Sequence, residues 1–219
     1  MPPLAIQQFA DRNVDPNVRG FLHLPDAPNN DGFVLTHGAG SNAQAPLLIA
    51  VAEAFCAAGF TVLRCDLPFR QRRPFGGPGR GDAVRDRAGL KNAVEALRQR
   101  ANGRNFLGGH SYGGRQASML CSDEQNLVAG LLLLSYPLHP PGKPEQLRIE
   151  HLPNLRTPTL FVHGARDPFG SIQELESAIK MIPARTKLVV VEGAGHELAA
   201  KGKQESLAAR VLSEFQAFL

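Results

Sequence analysis

Gly109-His110-Ser111-Tyr112-Gly113 is a G-x-S-x-G run. Between a strand and a helix, such a run forms a sharp turn that thrusts the serine hydroxyl out over the sheet. Glycines two residues either side of the serine permit the turn, because a Cβ there would strike neighbouring backbone. The helix that follows aims its N-terminus at the site and favours developing negative charge. Gly114 extends the small-residue run and lets that helix pack close. The competing reading is a glycine-rich turn that happens to contain a serine; the strand and helix expected on either side favour a nucleophile.

A serine hydroxyl is a poor nucleophile near neutral pH and needs a base, which in turn needs a group to fix its tautomer. His196 stands in Glu192-Gly193-Ala194-Gly195-His196-Glu197, and Asp167 in His163-Gly164-Ala165-Arg166-Asp167-Pro168; each segment follows an expected strand. Asp66 also ends a strand and competes with Asp167, and Glu192 is a weaker rival. Of the other histidines, His23 falls in an N-terminal hairpin, His139 and His151 in a proline-rich loop, and His163 inside a strand. His37 and His110 flank the site and look structural, though His37 is kept as a candidate substrate contact. Ester cleavage builds negative charge on the carbonyl oxygen, which two backbone N–H groups can hold. The candidates are Tyr112, next after the serine, and Ala39 in the turn His37-Gly38-Ala39-Gly40.

These residues need a frame that brings strand ends to one rim. Short apolar runs alternate with longer helix-period segments. Strands are expected at 33–35, 60–65, 105–107 (breaking at Gly108-Gly109), 128–135, 159–163 and 187–192. Helices are expected at 44–58, 81–101, 112–121, 172–182 and 204–219. Alternation of this kind implies βαβ units and a mostly parallel sheet covered on both faces. Residues 4–25, with the turn-rich Asn13-Val14-Asp15-Pro16-Asn17, read as an antiparallel hairpin on the sheet edge. Residues 137–157 hold five prolines and read as a loop, with no room for a large cap. The whole chain, 1–219, reads as a single α/β domain. In such sheets ligands sit beyond the carboxyl ends of the strands, where the residues named above fall.

Thr36-His37-Gly38-Ala39-Gly40, Gly109-His110-Ser111-Tyr112-Gly113, Gly164-Ala165-Arg166-Asp167 and Gly195-His196 together resemble the α/β-hydrolase superfamily, from about Gly32 onward. The order serine, acid, histidine along the chain is the one that fold uses. The compact, cap-less size is similar to the dienelactone-hydrolase-like branch, although the cysteine nucleophile of dienelactone hydrolases proper is absent. The resemblance implies the α/β-hydrolase fold and a Ser111–His196–Asp167 triad, and it implies no substrate.

The 219 residues carry a net charge of +4, and the excess is local. Residues 64–104 hold eleven basic and four acidic side chains. Arg70, Arg72, Arg73 and Arg80 fall in the loop leaving the 60–65 strand, where the first three are candidates to bind an anionic substrate. The arginines and lysine of 85–104 read as a solvated helix face. A confined charge, no Trp and few aromatics argue against a nucleic-acid partner. No His/Cys/Asp group has metal-ligand spacing, and no cofactor is expected. Three cysteines without a CxxC pair, no signal-like segment and no membrane-length apolar run give the expectation of a cytoplasmic protein. The function expected is a serine hydrolase acting on a small ester, thioester or lactone. The alternative is a scaffold whose basic 70–80 loop docks an acidic partner.

Overall fold

The computed structural model describes residues 5–198 and 202–219, so Leu4, at the start of the expected hairpin, lies outside the described residues. Strands β1 (Ala5–Asp11) and β2 (Val18–Leu24) form the antiparallel hairpin, pairing from Ala5 with Leu24 to Asp11 with Val18. β2 then runs antiparallel to β4 (Thr61–Cys65). From there the sheet is parallel through β4, β3 (Gly32–Thr36), β5 (Asn105–His110), β6 (Gly130–Leu134), β7 (Thr159–Gly164) and β8 (Thr186–Val191), in that spatial order.

The parallel strands are nearly all apolar because both faces are covered, and successive residues feed two separate cores. Phe33, Leu35, Val62, Phe106, Leu132 and Leu134 point to one face; Val34, Leu63, Leu107, Leu131 and Leu133 point to the other. The first face is closed by α1 (Pro46–Ala57) and α6 (Gln204–Phe218). There Phe33 meets Phe55 at 4.7 Å and Phe215 at 5.3 Å between ring centroids. The second face is closed by α3 (Asp82–Arg98), α4 (Tyr112–Asp123) and α5 (Ile172–Ile179). α5 begins at a capping box in which Ser171 and Glu174 satisfy each other's free backbone amides.

Three local expectations change. A five-residue helix, α2 (Pro68–Arg72), replaces the start of the expected loop, with Pro68 preset for the first turn. β5 does not break at Gly108-Gly109 but continues to His110. Two acidic residues among the arginines of α3 are not on a solvated face: Asp82 and Asp86 are buried. The neighbouring cations do lie at the surface in ion pairs, Lys91 with Glu124 at 2.7 Å and Arg104 with Asp31 at 2.8 Å among them. The proline-rich 137–157 segment contains only a 3-10 turn at Leu152–Asn154, and among the described residues no cap covers the strand ends. Among the described residues, no helix is long and apolar enough to cross a membrane. Cys56, Cys65 and Cys121 are buried free thiols.

Candidate active site

The turn from β5 into α4 holds Ser111 at φ 51° and ψ −120°, a region that costs a non-glycine residue about 1–3 kcal/mol. The sheet carries the serine into that conformation, since Ser111 N–H still donates to the Leu134 carbonyl at 2.8 Å and so extends the β5–β6 ladder. The turn is sharp enough that a Cβ on Gly109 would lie 2.7 Å from the Gly114 nitrogen. A Cβ on Gly113 would collide with the His37 carbonyl.

The loops after β7 and β8 bring the other two residues to it. His196 Nε2 lies 2.7 Å from Ser111 Oγ, and His196 Nδ1 lies 2.8 Å from Asp167 Oδ2. An ionised carboxylate only accepts, so Nδ1 carries the proton and Nε2 is free to accept from the serine. Asp167 is fully buried and also accepts the Phe169 N–H at 2.8 Å. Burial pushes its carboxyl up, but the hydrogen bonds from His196 and Phe169, with the nearby His196 and His163 rings, outweigh this and hold it below the usual carboxylate range. Asp167 therefore stays charged. Phe169 stacks on the imidazole, 4.2 Å between centroids. His110, inside the elbow, lends its Nε2–H to the His196 carbonyl at 2.9 Å.

Asp66 and Glu192, the rival acids, are elsewhere. Asp66 accepts Ala43 N–H at 2.8 Å and pairs with Arg19 at 3.2 Å. Glu192 is exposed on the turn after β8. A second serine–histidine contact, Ser118 with His151 at 2.8 Å, has the wrong polarity for a nucleophile and base. Ser118 donates its own proton to the Arg115 carbonyl at 2.9 Å, so the ring must donate to the hydroxyl. Ser118 is also fully buried within α4.

The turn after β3 lies across the serine, where Gly38, Ala39 and Gly40 line a cavity together with Ser111, Tyr112 and His196. Its peptides are held from behind. His37 Nδ1–H donates to the Gly38 carbonyl at 2.8 Å, and in a trans peptide the Ala39 N–H must then point the opposite way. His37 Nε2 accepts the Leu67 N–H at 3.0 Å, which fixes the ring. Arg70 donates to the carbonyls of Ala39 at 2.9 Å and Ser41 at 2.7 Å. Its remaining bonds go to the carbonyls of Gly76 at 2.8 Å and Arg73 at 3.1 Å. Among the described residues the Ala39 and Tyr112 amides have no hydrogen-bond partner.

Four expected substrate contacts are therefore corrected. His37 is completely buried and Arg70 nearly so, and both spend their donors on backbone carbonyls. Arg72 and Arg73 both bond the Asp82 carboxylate, one to each oxygen, and neither lines the cavity. The sequence offered charge without partners; Asp82, the first residue of α3, is the partner. Two residues absent from the sequence-based site do line the cavity, Arg115 and Arg148. Asp86 was missed as well. It is fully buried, accepts the Tyr112 hydroxyl at 2.8 Å and the Phe69 N–H at 3.0 Å, and so ties α3 and α2 to the elbow. Among the described residues no His/Cys/Asp/Glu group could hold a metal ion.

Solved structures share this architecture across nearly their whole length. A dienelactone hydrolase from Anabaena variabilis superposes with a TM-score of 0.74 at 24% identity, covering 98% of this chain and 99% of its own. An alpha-beta serine hydrolase homologue from Coxiella burnetii gives 0.77 at 17% identity, with coverage of 95% and 96%. Est1E from Butyrivibrio proteoclasticus gives 0.72 at 16%, with coverage of 97% and 98%. At these identities the likeness is one of fold. The model of the alpha/beta hydrolase domain family matches residues 29–218, from the turn before β3 to the last residue of α6. With that match over most of its length, and with a serine, a histidine and a buried carboxylate joined at the strand ends, the chain belongs to the alpha/beta hydrolase domain family and is a hydrolase of the serine type.

Proposed function

We propose that the protein hydrolyses a small carboxylic ester, thioester or lactone through an acyl-serine intermediate. The observation that carries this reading is the unbroken hydrogen-bond line Ser111–His196–Asp167, 2.7 and 2.8 Å long, opening on a cavity of about 700 Å3. Ser111 Oγ attacks the substrate carbonyl while His196 Nε2 takes its proton. Asp167 holds the ring in the tautomer that allows this and stabilises the imidazolium. The Ala39 and Tyr112 N–H groups, the latter at the start of α4, bind the oxygen as it becomes negative. His196 returns the proton to the leaving alcohol or thiol. Water, deprotonated by the same ring, then attacks the acyl-serine and releases the acid. The described relatives' names, a dienelactone hydrolase among them, agree with ester-type chemistry.

The scaffold alternative rests on free arginines in the 70–80 loop, and those of Arg70, Arg72 and Arg73 are already engaged within the chain. A fluorophosphonate probe tests the hydrolase reading. Labelling of the native protein that disappears in Ser111→Ala is expected; labelling that survives the substitution, or none at all, overturns it.

A further inference from the structure

The cavity beside Ser111 contains two guanidiniums that the reaction above does not use. Arg115 lies one helical turn beyond the serine on α4, its N–H donating to the Ser111 carbonyl at 3.0 Å, so both side chains leave the same face of the helix. It is half-buried, and its Nε is enclosed without a hydrogen-bond partner. Arg148 reaches the cavity from the proline-rich loop. Its backbone is pinned there, N–H to the Leu138 carbonyl at 2.8 Å and carbonyl to the buried Tyr136 hydroxyl at 2.6 Å. Its guanidinium makes one long bond, 3.3 Å to the Pro137 carbonyl. Neither arginine forms a salt bridge among the described residues.

The charge of Arg115 also bears on its neighbours. Burial, and after it the charge of Arg115, lowers Arg148 from its ordinary value, and Arg115 acts on the His151 ring in the same sense. Like charges held together in a half-buried pocket are unfavourable unless an anion joins them. Among the described residues Glu197, at the exposed rim, is the only acid lining the cavity, and Asp167 is committed to His196. Two guanidiniums lining one cavity offer forked donors suited to a carboxylate.

We infer that Arg115 and Arg148 form a binding site for a carboxylate on the substrate, which makes the protein a hydrolase of monoanionic esters such as half-esters of dicarboxylic acids. The identification of the substrate as an ester rests on the hydrolase reading; the anion site does not.

The test compares monomethyl adipate with methyl pentanoate, following acid release by pH-stat. The native enzyme is expected to favour the anionic ester in kcat/KM by about tenfold or more, the worth of a charged hydrogen bond. Arg115→Gln and Arg148→Gln should each shrink that ratio at least fivefold, chiefly through KM, and Arg148→Lys should restore part of it. A ratio near one in the native enzyme, or a ratio unmoved by both glutamine variants, overturns the proposal. Calorimetric binding of adipate to Ser111→Ala separates the two readings. If neither ester is cleaved yet adipate binds and Arg148→Gln abolishes binding, the anion site stands and the hydrolase reading falls. Adipate that fails to bind at about 10 mM, or inorganic phosphate that binds more tightly than adipate, overturns the carboxylate assignment.

Discussion

His110 Nε2–H donates to the backbone carbonyl of His196 at 2.9 Å, so the residue immediately before the proposed nucleophile grips the loop that carries the proposed base. The two rings lie 5.2 Å apart. This bond ties the spacing of Ser111 and His196 to the end of β5 rather than to the β8 loop alone. His110→Ala is therefore expected to lower kcat by about 10- to 100-fold, since small displacements of a catalytic pair are costly, with KM little changed. Steady-state kinetics on a neutral ester measures it. A kcat within twofold of native would show that the loop holds its position without the bond.

The proposed oxyanion turn depends on donors behind it. Arg70→Ala frees the Ala39, Ser41 and Gly76 carbonyls together, and His37→Phe frees that of Gly38. Each should cost kcat on the order of 10²-fold, the loss typical of one misdirected oxyanion donor. Fluorophosphonate labelling of Ser111 should slow in parallel. Retention of full kcat in both variants would remove the turn from the mechanism.

The elbow stores strain that a glycine would release. Ser111→Gly should be more stable than Ser111→Ala by roughly 1 kcal/mol, because φ near 51° is open to glycine and disfavoured for alanine. Urea denaturation of the two inactive variants gives the comparison, and equal midpoints would mean the turn is unstrained.

Histidines held low by burial make the fold sensitive to acid, the buried His23 and the half-buried His151 together with His37, His110 and His163. Burial, then the charge of Arg64, lowers His23 to about 4, and burial, then Arg115, lowers His151 to about 4. Each ring binds a proton more readily unfolded, at 6.5, than folded. The unfolded state thus holds the extra protons between those values, and stability falls as the pH drops from about 6.5 to about 4. The loss is on the order of 3 kcal/mol for each ring. His23→Gln keeps an acceptor for Arg64 and should flatten that slope. An identical slope in the variant, measured by denaturation at several pH values, would contradict the assignment.

What the sequence made legible follows physical locality. Strands β3 to β7 announce themselves because a strand covered on both faces is apolar at most positions, and the half-buried β8 by its Leu188–Val191 run; the candidate serine, histidine and aspartate each follow such a run within a few residues. The α2 helix was missed because five residues are too few for a 3.6-residue period to appear. β5 was cut short because Gly108 and Gly109 look like breakers; here the missing side chain of Gly109 lets α4 pack against the strand, and that of Gly108 leaves room for Leu132 and Leu35. Arg70, Arg72 and Arg73 were misjudged for a different reason. A guanidinium's role depends on where acceptors lie, and theirs come from the β3 turn, the 73–76 backbone and Asp82. Arg115 and Arg148 went unnoticed because one sits inside a helix and the other in a loop without pattern. Only the folded chain brings them to one cavity.

The Arg70 clamp has a further consequence for how substitutions here would be interpreted. One side chain crosslinks the β3 turn to the 73–76 segment through four carbonyls, and none of those contacts touches a substrate. In a saturation screen scored by turnover, position 70 would rank beside the triad, while Arg72 and Arg73, its neighbours of the same type, would tolerate exchange. Importance in such a map would report stiffness rather than chemistry, and only a second screen scored by folded yield would tell the two apart.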